Sequence, residues 1–232
     1  MIVSIMQPYF LPYLGYFQLI HAVDTFIVYD NIQYTKNGWI NRNRIYGNGE
    51  AVTISIPLKG ASDYLNVCER ELAADFRRDK LLNKIRGAYL KAPYFRQTFP
   101  LIEAIVQYEE SNLFRFLEHC IRRACDHVGV TTEIRVSSGI AIDHALKKQD
   151  KVLALCEAVG ASVYVNAIGG VELYCAEEFR ARGVDLKFIR MKPFEYAQFG
   201  NVFVPMLSII DVMMFNSVPA IQSFITSGYE LI

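Results

Sequence analysis

The sequence lacks the segments that send a protein to a membrane or into an export pathway. Its first residues, Met1 to Gln7, do not combine a basic region with a long apolar stretch, so we expect no signal peptide. No apolar run in the chain approaches the ~20 residues that cross a bilayer. We therefore expect a cytoplasmic protein without membrane insertion.

The sequence also has no excess of charge of either sign. Lys and Arg together number 24, and Asp and Glu together number 24. This balance argues against the broad electrostatic attraction by which basic proteins bind nucleic acid. It leaves room for a local basic pocket that binds one phosphate-bearing ligand.

Several catalytic and metal-binding patterns are missing. The five cysteines are an odd number without a C-x-x-C spacing, which favours reduced thiols and argues against a zinc cluster. The chain has no G-x-S-x-G, G-x-G-x-x-G or P-loop pattern. We expect no metal site, and a hydrolase or metal enzyme is the weakest of the functional alternatives. His144, close to Lys147 and Lys148, is a secondary candidate for acid–base chemistry.

An α/β pattern is present instead. Of the 232 residues, 52% are hydrophobic, which is enough for a sizeable core. Ile2–Met6 and Phe26–Tyr29 read as strands on either side of a helix that starts at Tyr13, because Pro8 and Pro12 exclude helix before it. Such a unit predicts parallel strands joined by a right-handed crossover.

The rest of the chain divides into a helical block and a second α/β half. We predict a helix over Asp75–Leu90 and a longer helical stretch over about 100–127. The later predicted elements are strands at Thr132–Ser137, Ser162–Asn166 and Val184–Ile189, and helices at Asp150–Val159, Glu177–Arg182 and Leu207–Asn216. The predicted division is an N-terminal half of an α/β core at 1–74, a helical subdomain at 75–130, and the C-terminal half of the core with a closing helix at 131–232.

The first candidate binding segment is the loop after the first strand, Gln7–Tyr16. Ligands of open parallel sheets bind where the strands' carboxyl ends become loops. Two prolines stiffen this loop, and Gly15 permits a close approach of backbone or ligand. It also leads into a helix N-terminus, which attracts anions. The alternative is that its aromatic residues only pack the strand against the helix.

The second candidate segment, residues 30–44, is rich in polar side chains. Lys36, Arg42 and Arg44 suit phosphate or carboxylate groups, amides such as Gln33 suit polar ligand edges, and Trp39 offers a stacking face. Residues 31–50 are predicted to form a long functional loop or an irregular hairpin. The alternative is a solvated loop with ordinary surface charges.

Two further motifs admit a structural reading as readily as a functional one. Asn166-Ala-Ile-Gly-Gly170 follows a predicted strand, where its glycines permit either close ligand approach or a plain tight turn. Ser208 and Asp211 have the spacing of a helix N-cap and its third residue, which favours a capping pair.

Together these residues resemble the WbqC-like family, bacterial proteins associated with O-antigen and surface-polysaccharide gene clusters. The resemblance covers essentially the whole chain and rests on Gln7–Tyr16, the pattern Asp30 to Asn43, Ile56-Pro57, Tyr164 to Gly170, and Leu207 to Asn216. It implies transfer of an amino acid, such as glycine, onto an amino sugar.

The first loop is also similar in placement to the HxGH signature of nucleotidylyltransferase-like α/β folds. Tyr13 and Tyr16 stand at the two histidine positions. Tyrosine donates hydrogen bonds but is uncharged near neutral pH, which argues against ordinary nucleotidyl transfer. The same superfamily includes ligases that act through an acyl-adenylate, so the resemblance implies an α/β parallel-sheet core of the nucleotidylyltransferase/HUP-like kind with a helical insertion.

The leading hypothesis is an aminoacyl or acyl transferase, or an ATP-dependent amide ligase, acting on an amino sugar or a nucleotide-linked sugar. The expected ligands are a nucleotide or nucleotide sugar and an amino acid, with ATP and Mg²⁺ as the possible cofactor. The chain could also form a homo-oligomer. The candidate catalytic residues are Lys36, Arg42 and Tyr16. The candidate substrate-binding residues are Gln7, Tyr9, Tyr13, Gly15, Gln33, Trp39, Asn41, Asn43, Arg44, Asn166, Gly169 and Gly170. The alternatives are a non-catalytic nucleotide-sugar or partner-binding protein, and a nucleotidylyltransferase-like enzyme with a degenerate HxGH motif.

Overall fold

A computed structural model describes residues 1–60, 62, 64–200 and 202–232. Its strands are β1 (Ile2–Met6), β2 (Thr25–Val28), β3 (Arg42–Gly47), β4 (Glu50–Ser55), β5 (Glu133–Val136), β6 (Val163–Ala167), β7 (Asp185–Met191) and β8 (Tyr229–Leu231). Its helices are α1 (Leu14–His21), α2 (Arg78–Tyr89), α3 (Phe95–Gln107), α4 (Leu113–Val128), α5 (Lys148–Ala158), α6 (Ala176–Ala181), α7 (Ile209–Phe215) and α8 (Val218–Ser227).

The central sheet has the order β5-β2-β1-β6-β7-β8. All of its neighbouring pairs are parallel except β7 with β8. Numbered along the chain, the five parallel strands lie in the spatial order 3-2-1-4-5, which is the order of a doubly wound sheet. The predicted α/β class with a mostly parallel sheet is therefore confirmed. The winding direction reverses between β1 and β6, the point where sheets of this kind open to ligands.

Helices cover both faces of the sheet, and the strands alternate between two apolar cores. In β2, Phe26 and Val28 face a core that contains α1, α4 and α8, while Ile27 faces a second core with α5 and α6. This alternation follows from the two-residue period of a strand. Because both faces are covered, β2 is buried along its whole length, and its residues after Thr25 form a continuous apolar run.

The helical block α2–α4 lies between β4 and β5 in the chain and packs into the first core. The predicted helical stretch over about 100–127 consists of two helices, because residues 108–112 separate α3 from α4. The side chain of Asn112 accepts a hydrogen bond from the Arg115 N–H at 3.1 Å and so starts α4. The Phe116 ring lies 6.4 Å from that of Phe10, which joins the block to the first loop. The three-part domain division stays a prediction, and the first core contains residues of all three ranges.

Part of residues 31–50 forms the first strand of a regular hairpin. β3 and β4 pair antiparallel with Ile45 opposite Val52, and they form their own two-stranded sheet. Asn48 and Gly49 form the turn with φ of 53° and 89°, as two-residue hairpin turns require. The alternating apolar residues of Ala51–Pro57 are typical of a strand, and β4 includes this stretch as far as Ser55.

The C-terminal region contains a confirmed helix start and elements that the sequence reading missed. The Ser208 hydroxyl accepts from the Ile210 N–H at 3.2 Å and caps α7. The predicted role of Asp211 as the second member of this capping pair is wrong, because its carboxylate is fully buried and bonds to other side chains. It accepts hydrogen bonds from Tyr89 at 2.7 Å, Tyr196 at 2.6 Å and Gln198 at 2.6 Å. Helix α8 and strand β8 were not predicted.

Among the described residues, none of the helices has the length and apolar character that a membrane span needs.

Candidate functional site

The first loop and the basic segment meet at the carboxyl edge of the sheet. The Phe10 N–H donates to the Ile40 carbonyl at 3.0 Å. The Asn43 carboxamide donates to the carbonyls of Phe10 at 3.0 Å and Leu11 at 2.8 Å. Two candidate segments that are separate in the sequence are thus one structural unit beside the end of β1.

The tyrosines of the first loop differ in their environments. Tyr13 takes the N-cap position of α1, and a Cβ added at Gly15 would lie 2.4 Å from its ring, so this glycine makes room for the ring. Tyr16 is 3% exposed, and its hydroxyl donates to the Gln7 carbonyl at 2.9 Å. Burial raises the pKa of Tyr16 well above its usual value. The ring of Tyr9, which is half-buried, lies 5.7 Å from that of Tyr16.

Tyr34 is the centre of a cationic cluster formed by Lys36, Arg42 and Arg70. Burial raises the pKa of Tyr34, and the positive charges of Arg70, Arg42 and Lys36 act in the opposite direction. The Arg70 guanidinium lies 4.6 Å from the Tyr34 ring centre, and its side chain is 3% exposed. It donates to the carbonyls of Gly60, at 3.2 Å, and Ser62. Arg70 was not among the predicted residues, because its partners lie in another loop.

Trp39 lies against two of the predicted cations. The guanidinium carbons of Arg42 and Arg44 are 5.7 Å and 5.3 Å from its ring centre. Arg42 donates to the carbonyls of Gly38 at 2.9 Å and Asn37 at 2.7 Å, while Arg44 donates to the Met206 carbonyl at 3.3 Å. Backbone carbonyls therefore orient both guanidinium groups without neutralising their charge.

The predicted amides are mostly engaged within the protein. Asn41 accepts from the Tyr34 hydroxyl at 2.8 Å and donates to the Ile56 carbonyl at 2.8 Å. Asn43 is 5% exposed and uses its carboxamide on the first loop. Gln33 is exposed and pairs through its backbone with Asn66 in an isolated bridge. Asn41 and Asn43 thus shape the edge, whereas Gln33 lies on its surface.

The third segment lies at the end of β6, next to β1 in the sheet. Asn166 donates to the hydroxyls of Tyr164 and Tyr174, both at 2.9 Å, and accepts from the Ala167 N–H at 2.6 Å. A Cβ at Gly170 would lie 3.3 Å from this carboxamide, so Gly170 packs on Asn166, while Gly169 is exposed. Within the described residues no hydrogen bond joins this segment to the first loop.

A polar network that the sequence reading missed follows β2 and β5. The Asp30 Oδ1 accepts from the Ser137 hydroxyl at 2.7 Å and the Ser138 N–H at 2.9 Å. Lys151, on the first turn of α5, is 4% exposed and donates to the carbonyls of Asn31 and His144, both at 3.2 Å. Burial lowers the pKa of Lys151, and the carboxylate of Asp30 opposes that shift.

His144, the secondary acid–base candidate, lies beside this network. Its Nδ1 is 2.9 Å from the Asn31 side-chain nitrogen. The described residues contain no group of three or more His, Cys, Asp or Glu side chains placed to hold a metal ion.

A surface cavity of about 540 Å³ lies away from these predicted residues. It is lined by Leu72, Ala73, Ala74, Arg78, Glu109, Glu110 and Ser111. None of the predicted site residues lines it, and the strand ends define the candidate site instead.

These features define a doubly wound α/β protein whose cationic and polar side chains gather where parallel strands end. The model of the WbqC-like protein family matches residues 7–223. The chain belongs to the WbqC-like protein family, as the resemblance predicted. It is 26% identical over 218 residues to the uncharacterized protein Rv1507c of Mycobacterium tuberculosis, a match that covers 92% of this chain and 93% of that protein. No solved structure matches the chain.

Proposed function

We propose that this protein joins a small acyl or aminoacyl group of the glycine type to an amino sugar or nucleotide-linked sugar. It would act as a transferase or ATP-dependent amide ligase in O-antigen or surface-polysaccharide biosynthesis. The observation that carries the proposal is the docking of the cation-bearing segment on the first loop, beside the point where the sheet reverses its winding. Cations at such an edge bind phosphate and carboxylate groups. Membership of the WbqC-like family supports the choice of pathway.

We assign the core to the nucleotidylyltransferase/HUP-like kind. The strand order and the loop that leads into α1 support this assignment. Tyr13 and Tyr16 stand where that class has its two histidines, and burial raises the pKa of both, so both are neutral near pH 7. The cationic cluster of Lys36, Arg42 and Arg70 supplies the missing positive charge.

As a ligase, the protein would catalyse two steps. The carboxylate oxygen of the amino acid attacks the α-phosphorus of ATP, and pyrophosphate leaves with the electron pair of the broken P–O bond. Mg²⁺ bound to the nucleotide would neutralise part of the phosphate charge. The neutral amine of the sugar then attacks the carbonyl carbon, the bond to AMP breaks with its electron pair on AMP, and the amine proton passes to solvent. The cationic cluster stabilises phosphate charge, and Gln7, Tyr9 and Trp39 contact the donor and the sugar ring. Catalysis then rests on positioning and charge stabilisation.

The test is ATP–pyrophosphate exchange measured with each amino acid in turn. We expect one amino acid to stimulate exchange, and mass spectrometry to detect an amide when an amino sugar is added. Arg42→Ala should abolish both signals. If Arg42→Ala retains the wild-type rates of exchange and product formation, the cationic cluster has no part in the mechanism.

A second candidate function is non-catalytic binding of a nucleotide sugar. The buried Tyr16 hydroxyl and the engaged amides of Asn41 and Asn43 favour it, because these side chains already have protein partners. Thermal-shift measurements with ATP, UDP-sugars and dTDP-sugars, with and without Mg²⁺, separate the two. Stabilisation by nucleotide sugars alone, without product from ATP and amino acids, would favour the binding protein.

A further inference from the structure

Asp30 lies at the carboxyl edge, immediately beyond β2 and beside the start of the first loop. The Tyr29 N–H donates to the Met6 carbonyl at 2.8 Å, which fixes the end of β2 against the end of β1. Asp30 is 3% exposed, so its carboxylate is held within the edge. Asp30 and the first loop are therefore neighbours at the sheet edge where the ligand is proposed to bind.

The Asp30 carboxylate has unused acceptor capacity. An ionised carboxylate offers about four acceptor sites, two on each oxygen. Ser137 and Ser138 both donate to Oδ1. Oδ2 receives no hydrogen bond from any described residue. Oδ2 is not fully enclosed by the protein, so a molecule bound at the sheet edge can donate hydrogen bonds to it.

The surrounding charge selects the kind of donor. Lys151 is close enough to Asp30 for the carboxylate to oppose the fall in the pKa of Lys151 that burial causes. The Lys151 Nζ lies 5.2 Å from the Tyr29 ring centre. The Cys68 N–H donates to the Asp30 carbonyl at 3.1 Å, and cationic Arg70 follows two residues later. An ammonium ligand would meet these positive charges, whereas neutral hydroxyl groups would not. Hydroxyl donors therefore fit Oδ2 better than an amine.

We propose that the Asp30 Oδ2 accepts hydrogen bonds from the vicinal 2′- and 3′-hydroxyls of the substrate's ribose. This inference rests on the proposed function, because it requires that the ligand be a nucleotide. In doubly wound sheets that bind dinucleotides, an acidic residue about 20 residues beyond the first loop accepts hydrogen bonds from the ribose hydroxyls. Asp30 has that place although the chain lacks the glycine fingerprint. The phosphates then extend toward the cationic cluster, with Lys151 and the two serines as positioning residues.

The test compares ATP with 2′,3′-dideoxy-ATP by titration calorimetry, using the wild-type protein, Asp30→Asn and a control variant, Asp126→Asn. Asp126 is exposed on α4. Wild type and Asp126→Asn should bind ATP about 10- to 100-fold more tightly than the dideoxy analogue, as expected for two lost hydrogen bonds to a charged group. Asp30→Asn should bind both nucleotides equally, with the affinity that wild type shows for the analogue.

Equal binding of ATP and the analogue by wild type overturns the ribose assignment, whether or not Asp30→Asn folds. Retained preference for ATP in a folded Asp30→Asn also overturns it. If Asp30→Asn weakens binding of UDP-N-acetylglucosamine but not of UDP, the carboxylate binds the hexose and the ribose assignment is wrong. If wild type binds none of these nucleotides, both the proposed function and the ribose assignment that rests on it are wrong. The wild-type measurements alone therefore distinguish the two failures.

Discussion

The Asn43 carboxamide donates a 2.8 Å hydrogen bond to the carbonyl of Leu11. Leu11 has a φ of 41°, a conformation that non-glycine residues seldom adopt. Asn43 lies in β3, so the hairpin holds the first loop in this conformation. The loop geometry therefore depends on a residue more than thirty positions away in the chain.

Replacing Asn43 with Ala should destabilise the protein and loosen the first loop. The change removes two buried hydrogen bonds and leaves the Phe10 carbonyl without this donor, whereas the Leu11 carbonyl still accepts from the Ser208 hydroxyl at 2.6 Å. We therefore expect a loss of roughly 1–3 kcal/mol. Urea unfolding measures this loss. Exposed Asn37→Ala is the matched control and should change stability by less than about 0.5 kcal/mol. Equal stability of the two variants would show that the hairpin does not fix the loop.

Replacing Arg42 with Ala should weaken nucleotide binding without unfolding the protein. Its side chain is half-buried and donates only to backbone carbonyls of its own loop, so little of the fold depends on it. We expect binding of ATP or a UDP-sugar to fall at least about 10-fold, the loss of one charge-assisted contact. Arg96→Ala, an exposed arginine on α3, is the control. Unchanged affinity in Arg42→Ala would remove this residue from the site.

The parts of the fold that the sequence predicted are those with local signals. The apolar run of β2 and the prolines around the first loop suffice to place the first βαβ unit. The break before α4 also has a local signal, the capping residue Asn112, which the periodic pattern from Pro100 to His127 obscured. Helix α8 likewise carries Ser217 as its cap, with Pro219 in its first turn, so the local signals for this helix are present in the sequence.

The polar network around Asp30 was not predictable in the same way. Lys151 stands in a run of polar residues that is typical of a solvated helix start. Its burial arises because the carbonyls of Asn31 and His144, from two different loops, accept its hydrogen bonds. The same holds for Arg70, whose partners are the Tyr34 ring and the carbonyls of Gly60 and Ser62. Contacts between distant loops decide such positions, and no local pattern encodes them.

The buried carboxylate of Asp211 should give a pH dependence of stability with a definite sign. Burial raises the pKa of Asp211 in the folded state, although its three hydrogen-bond donors oppose the shift. The folded state therefore binds the proton more tightly than the unfolded state, whose pKa is about 3.9. The contribution of this group to stability is largest below that pH and falls as the pH rises toward the folded-state pKa.

The comparison that isolates this contribution is wild type against Asp211→Asn, which cannot ionise. We expect the free energy of unfolding of wild type, minus that of Asp211→Asn, to decrease as pH rises from about 3.9, until the carboxyl is ionised in both states. Urea unfolding at a series of pH values measures the difference. A difference that increases with pH would mean that the bonds from Tyr89, Tyr196 and Gln198 outweigh burial.

The effect of a side chain at Gly15 should depend on Tyr13. A Cβ at Gly15 would lie 2.4 Å from the Tyr13 ring, so Gly15→Ala must displace that ring and should cost about 1–3 kcal/mol in wild type. In a Tyr13→Ala background the obstruction is gone, and the same change should stabilise α1 by about 0.5–1 kcal/mol through the lower chain entropy of alanine. Gly87→Ala, on α2 with no atom within 4 Å of the added Cβ, should stabilise both backgrounds equally.

Urea unfolding of the four Tyr13 and Gly15 combinations measures the coupling. If Gly15→Ala has the same cost in both backgrounds, the glycine is required by something other than the tyrosine ring.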